Sequence, residues 1–269
     1  MSHGPDYHRF QDYVDPIVDN LETVERRGHS RFGVFDDWLD LMLYSLQGCD
    51  DPYLDIIDEY GDDNEKPERN ADLFAESFEH LRLSAEETGA DVLGVVYEEL
   101  GMDSDAFGQY FTPHNVSQAK AEMVLHDLDP QEYQDRPVRI ADPAGGSGRL
   151  LVAAEYQLPD DLDSWYMSVD KDPACAKMGA LNQWLHGLEG VSVHGDSLTL
   201  EKYRAWETVN TEMGPMLHEV DADEISIFPD REEETEEQQA ELTEDVDLDV
   251  EVEEHDQGDL SDFGGGIDR

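Results

Sequence analysis

Arg139-Ile-Ala-Asp-Pro-Ala-Gly-Gly-Ser-Gly-Arg149 decides how the rest of the chain is read. An apolar stub ends in Asp-Pro, a turn of small residues follows, and the helical pattern Leu150-Leu-Val-Ala-Ala-Glu155 opens directly after it. That is a strand, a tight loop and a helix, with a ligand expected at the helix N-terminus. Gly145, Gly146 and Gly148 let backbone and ligand approach where a Cβ would block them. Small-residue loops after strands serve many ligands, so the neighbouring segments have to say which one.

Three further segments flank the loop. Gly108-Gln-Tyr-Phe-Thr-Pro113 lies upstream; Val169-Asp-Lys-Asp-Pro173 and Gly195-Asp-Ser-Leu198 lie downstream. Asp142, Asp170 and Asp196 are separated by 28 and 26 residues, about one strand–helix unit each. The spacing places all three acids at the carboxyl ends of adjacent parallel strands, the edge where open α/β sheets bind ligands. Each acid also has a purely structural reading. Asp170 fits an exposed strand end, Asp172-Pro173 fits an N-cap followed by Pro at the first helical position, and Asp196 with Ser197 fits an N-cap before a helix at 200–203.

The four segments in this order resemble the DNA methylases that modify adenine at N6, above all the modification subunits of type I restriction systems and their solitary phage and plasmid relatives. The resemblance spans about residues 90 to 208 and rests mainly on its first two motifs. It implies an α/β, Rossmann-like core that uses S-adenosylmethionine, possessed of an N-terminal helical region, with DNA as the partner and adenine as the target. In that reading Asp142 meets the cofactor's ammonium, the turn Gly146-Ser147-Gly148 its carboxylate, Asp170 its ribose diol and Asp196 its adenine amino group. Phe111, Thr112 and Pro113 pack at the methionine end, while Pro143, Ala144 and Gly145 complete the loop.

The family's catalytic loop, a polar residue followed by Pro-Pro and an aromatic after a fourth strand, has no counterpart beyond Asp196. No Pro-Pro dipeptide occurs anywhere in the chain. No catalytic residue is assigned for that reason. The look-alike Asp50-Asp-Pro-Tyr53 reads either as a permuted catalytic loop or, more plainly, as the start of a helix with Pro52 in its first turn. Strands are expected at 138–141, 165–169 and 191–194, with a fourth at 225–228, fewer than a complete sheet of the family holds. Three functions follow: an adenine-N6 methyltransferase of a restriction-modification or viral or plasmid system, a non-catalytic cofactor-binding or assembly subunit, or, more distantly, an acidic adaptor with a degenerate fold. For the first two a partner subunit is a candidate source of the missing catalytic or recognition elements.

Composition bounds the setting. The 269 residues hold 67 Asp and Glu against 17 Lys and Arg, a formal charge of −50. Residues 1–218 alone carry 45 acids and 15 basic residues, so the acid is not confined to the tail. Such a charge makes the compact state repel itself in dilute buffer. At molar salt the Debye length falls to about 3 Å and most of that repulsion disappears. A cytoplasmic protein of a salt-accumulating halophile is the simplest account. Nucleic-acid binding normally uses a basic footprint, and none is visible, so contacts to DNA would have to be apolar and hydrogen-bonded. Cys49 and Cys175 give neither a metal spacing nor a disulfide framework, and the ten His are scattered. No signal peptide or membrane-length apolar run is present.

Three regions are expected: helical at 1–105, a methyltransferase-like core at 106–218, and an acidic tail at 219–269. Residues 1–30 read as a short helix and a linker. Residues 32–60 read as helical, with Phe35, Trp38, Leu39, Met42, Leu43 and Leu46 on a core-facing stripe. Further helices are expected at 73–83, 91–100 and 115–127. The tail carries 22 acids against two Arg and reads as disordered, a solvating segment with partner binding as the alternative.

Overall fold

The computed structural model describes residues 9–61, 64–102 and 111–227. Residues 108–110 of the upstream motif and the acidic stretch from 228 onward lie outside the described residues.

The chain first builds a helical layer. Helices α1 (Gln11–Arg26), α2 (Arg31–Gln47), α3 (Asp50–Glu59), α4 (Asn70–Thr88) and α5 (Val92–Glu99) follow one another. The short helix and linker expected at 1–30 are instead dominated by a four-turn helix. Val14, Ile17, Leu21 and Val24 recur at spacings of three and four, all are buried, and acids fill the other faces. The stripe is real but thin, which is why composition hid it.

Helix α2 behaves as its pattern predicts. Ser30 caps it by accepting from the Gly33 amide at 3.0 Å, and Gly48 ends it in the left-handed conformation. Phe35, Trp38, Leu39, Met42 and Leu43 are buried, and Leu46 packs against them. Burying each such side chain contributes about 1.5–3 kcal/mol. The Trp38 indole donates to the Phe74 carbonyl at 3.2 Å, so its one polar atom is satisfied inside the core.

The permuted-loop reading of Asp50 to Tyr53 does not hold. These residues form the first turn of α3, and Tyr53 packs against the helical core. Leu54, on the same helix, is exposed.

The second layer is a five-stranded sheet preceded by α6 (His114–Leu125). It runs β1 (Val138–Asp142), α7 (Arg149–Glu155), β2 (Ser164–Asp170), α8 (Pro173–His186), β3 (Gly190–Asp196), β4 (Glu201–Thr211) and β5 (Gly214–Val220). The spatial order is β1-β2-β3-β4-β5. β1, β2 and β3 are parallel; β4 and β5 are antiparallel to their neighbours. The α/β, Rossmann-like alternation expected from the sequence forms, and a hairpin then closes one side.

Two expectations near the end of the sheet are overturned. Residues 200–203 do not start a helix: β4 begins at Glu201, because Tyr203, Trp206, Thr208, Val209 and Thr211 favour a pleated strand, and the turn at Glu212-Met213 leads into β5. The strand expected at 225–228 is absent from its described part. A short 3₁₀ turn (Ala222–Glu224) forms instead, and Ile225 and Ile227 pack on the sheet as isolated apolar anchors.

Helix α8 joins the two layers. Toward the sheet, Ser192 donates to the Ala176 carbonyl at 2.8 Å and Gln183 to the Val191 carbonyl at 3.3 Å. Toward the helices, the buried Lys177 ammonium meets Asp36 at 2.7 Å and Asp40 at 2.8 Å. One apolar core therefore runs from α1 through α5 and α8 to Trp206 and Leu217. Among the described residues no helix is long and apolar enough to cross a membrane.

Candidate functional site

Asp142, Asp170 and Asp196 are the last residues of β1, β2 and β3, as their spacing implied. The register aligns Asp142 with Ser168 and Asp170 with His194, so each acid reaches past the one before it.

The glycine loop leaves β1 and folds back over β2. Asp142 Oδ1 accepts from the Ala144 amide at 3.1 Å, and the Gly145 amide donates to the Val169 carbonyl at 3.0 Å. The Gly146 amide then donates to Asp170 Oδ2 at 2.8 Å. Asp170 Oδ1 accepts from the Asp172 amide at 2.9 Å, fixing both carboxylate oxygens. Asp172 caps α8 by accepting from Ala174 and Cys175, with Pro173 at the first helical position, so the structural reading of that dipeptide holds.

Gly146 has φ +55°, and a Cβ there would lie 2.9 Å from the Phe111 ring. Glycine is required on both counts, conformation and space. Phe111 thus lies against the loop, beneath Arg149, whose guanidinium is 5.6 Å from the ring centroid. Arg149 also donates to the Thr112 carbonyl at 3.1 Å, and Ser117 does so at 3.3 Å. The structure therefore brings Phe111, Thr112, Asp142, Gly145, Gly146 and Asp170 together at one sheet edge.

Beneath the loop lies a group that sequence reasoning missed. Asp91, the N-cap of α5, is buried and accepts from Gly94 at 2.7 Å, Ser147 at 2.6 Å, Arg149 at 2.8 Å and Asn182 at 2.8 Å. Asn182 also donates to the Ser147 carbonyl at 2.7 Å, and Arg149 pairs with Glu98 at 2.8 Å. Burial alone would push the Asp91 carboxyl up, but the Arg149 charge and the donors from Ser147 and Gly94 outweigh it and hold it below the usual range. Ser147 thus turns inward to Asp91 and its side chain is buried. A signal was present: an Asp three residues before a Gly at a helix start, and an Arg directly after the glycine loop of an acid-rich chain.

The acids differ in what they leave open. Asp142 Oδ2 is buried with no hydrogen-bond partner among the described residues, and burial raises its pKa. Burial likewise raises Asp170, against the two backbone donors. A group so desolvated favours a cation beside it. Asp196 is already engaged: Oδ1 accepts from Leu198 and Thr199, and Oδ2 from Lys171 at 2.9 Å. It caps the turn into β4, in which Leu200 adopts φ +64° and Leu198 stands exposed. That backbone conformation is unfavourable for leucine.

A family model described as N-6 DNA Methylase matches residues 88–242. The type II methyltransferase M.MamI of Microbacterium ammoniaphilum is 32% identical over 126 residues, covering 41% of this chain and 35% of that protein. The chain thus spans about a third of the length of that curated relative. Two solved structures are more distant. A protein described as a class I S-adenosylmethionine-dependent methyltransferase from Listeria monocytogenes aligns with TM-score 0.41 and 15% identity over 66% of this chain and 52% of its own. The methyltransferase subunit of a type I restriction-modification system from Streptococcus thermophilus aligns with TM-score 0.34 and 20% identity over 70% and 38%.

Proposed function

The chain belongs to the N-6 DNA methylase family, and on that premise we propose that it binds S-adenosylmethionine at the carboxyl edge of β1 and β2 and serves methyl transfer to the N6 amino group of adenine in DNA. The observation that carries this is the pairing of two desolvated acids across one glycine loop, with a buried oxygen of Asp142 unpartnered among the described residues.

The residues fit the cofactor. An ammonium beside Asp142 Oδ2 satisfies the orphaned oxygen. Asp170, held by Gly146 and Asp172, retains lone pairs for a ribose diol. Pro143, Ala144, Gly145 and Gly148 keep the loop free of bulk, and Pro113 with Phe111 forms the wall at the methionine end. Ser147 acts through Asp91 as a positioning residue. Asp196 Oδ1 shapes the turn that presents Leu198, while Oδ2, which accepts from Lys171 alone, keeps a lone pair for the cofactor's adenine amino group. When bound, the cofactor supplies a methyl group activated on a positive sulfur; the chain's own part is to orient it and exclude water.

Adenine in a duplex must be extruded, stacked on an aromatic ring and held at its amino group. No Pro-Pro-aromatic loop occurs in residues 1–269, and a partner subunit is a candidate source of those groups. The −50 charge fits a halophile's salt-rich cytoplasm, where DNA contacts rest on apolar and hydrogen-bonding groups.

Ultraviolet cross-linking of radiolabelled S-adenosylmethionine in molar KCl tests the reading. It expects label on the chain that S-adenosylhomocysteine competes away and ATP does not. Label that ATP removes equally well, or none, contradicts it.

A further inference from the structure

Arg149 opens α7 directly after the glycine loop, and its side chain is only 8% exposed. A guanidinium is a planar fork whose donors point in different directions. Here each arm goes to a different place in the chain. Nε meets Asp91 Oδ2 at the start of α5 at 2.8 Å, and Nη2 meets Glu98 Oε2 near the end of α5, also at 2.8 Å. Nη1 donates to the Thr112 carbonyl at 3.1 Å. The fork lies 5.6 Å from the centroid of the Phe111 ring, within reach of a cation–π contact.

These contacts divide into a support and a load. Asp91 and Glu98 are the support. Burial opposes the Arg149 charge, but the two carboxylates outweigh it and hold the guanidinium ionised. Thr112 and Phe111 are the load. The Thr112 carbonyl accepts from Ser117, on the helix that it leads into, and from Arg149; of the two, Arg149 is the one that ties it to the glycine loop. Phe111 rests on Tyr97 of α5, ring centroids 5.3 Å apart, and the same ring leaves no room for a side chain at Gly146. One buried fork therefore sets the wall at residues 111–113 against the loop that follows Asp142.

We propose that Arg149 is a positioning residue for the methionine half of the methyl donor, acting through Phe111 and Thr112 rather than by touching the ligand. This rests on the methyl-donor reading, which sets the amino-acid end between that wall, Asp142 and the glycine loop. The nucleoside end falls to Asp170 and Asp196. Their further partners, the Asp172 and Leu198 amides and the Lys171 ammonium, lie off the Arg149 network. The two halves of one ligand are thus held by separately supported groups. Loss of the fork weakens ligands that carry the methionine half and spares those that do not. Lysine cannot stand in: one ammonium can pair with Asp91, but it has no plane for Phe111 and no fixed donors for both Glu98 and Thr112.

The test is calorimetry of the full chain in molar KCl with two ligands. S-adenosylhomocysteine carries the amino-acid end; 5′-methylthioadenosine lacks it. Arg149→Lys keeps a cation beside Asp91 and should weaken S-adenosylhomocysteine by about tenfold, the worth of a hydrogen bond to a charged group, while methylthioadenosine binds as to wild type. Phe111→Ala should show the same selective loss. The double variant should lose no more than the larger single loss, because the two residues act as one unit. Glu98→Gln, which keeps an acceptor for Nη2, should bind both ligands like wild type, and Glu98→Ala should not. If Arg149→Lys gives no cooperative melt, Glu98→Ala, at a partly exposed carboxylate, carries the same comparison. Equal loss of both ligands, or loss of neither, overturns the proposal and leaves the methyl-donor reading standing; so do additive losses in the double variant. A wild type that binds S-adenosylhomocysteine but not methylthioadenosine also overturns it, since the nucleoside half would then have no hold of its own. A wild type that binds neither ligand fails the methyl-donor reading itself, and the proposal with it.

Discussion

Asp91 Oδ2 accepts a hydrogen bond from Ser147 Oγ at 2.6 Å, tying the start of α5 in the helical layer to the glycine loop of the sheet. The same oxygen meets Arg149 at 2.8 Å, and the other oxygen meets Asn182 of α8 at 2.8 Å. Four elements thus converge on one buried carboxylate. The loop that places Gly146 against Asp170 is therefore held from below as well as from its own ends.

Removing that carboxylate should be costly. Breaking a buried pair by deleting one partner leaves the other charge uncompensated, at about 3–5 kcal/mol. Asp91→Ala should lower the melting temperature strongly in molar KCl. Gly94→Ala should follow it, because a Cβ there would lie 2.2 Å from Asp91 Oδ2 and 2.6 Å from Ser147 Oγ. Thermal melts that match wild type for both variants would show that the network does not hold the loop.

The parts legible in the sequence were those governed by local pattern. The Asp-Pro-Ala-Gly-Gly-Ser-Gly turn, the three acids at strand ends and the Trp38 stripe each carry their geometry in neighbouring residues. The Asp91 network was not legible, because residues 91, 147, 149 and 182 meet only through tertiary packing. β4 was misread because Asp196-Ser197 is as good a helix cap as it is a strand-end turn, and only pairing with β3 decides. α1 was underestimated because four apolar residues among many acids weigh little in composition yet suffice to bury one face.

Burial lowers the His186 pKa to about 4, and acid should destabilise the protein in the window this group shares with His114. Burial, and then the Arg149 charge, lower the His114 pKa from 6.5 to about 4. The unfolded chain takes up the proton below pH 6.5, the folded chain only near pH 4, so stability falls as pH drops between these values. Chemical denaturation across that range in molar KCl should show the loss, and His114→Asn should reduce it. A wild-type stability flat from pH 6.5 to 4 contradicts this. Asp91 acts lower: its depressed pKa gives stability that is present above the ordinary aspartate range and is lost as pH falls through the folded value.

Salt should stabilise the fold steeply. Residues 1–218 hold 45 acids against 15 basic residues, so screening acts on the body itself. The melting temperature should climb with KCl into the molar range. Truncation after Ile227 should lessen the slope without removing it. A melting temperature independent of salt contradicts the halophile reading.

Calorimetry of S-adenosylmethionine binding in molar KCl tests the central claim most directly. The account predicts saturable one-site binding by wild type. It predicts loss in Asp142→Ala, which removes the orphaned carboxylate, and in Gly146→Leu, which drives a side chain toward Phe111 at a backbone angle leucine disfavours. Wild type and both variants binding alike, or none of the three binding at all, would contradict it.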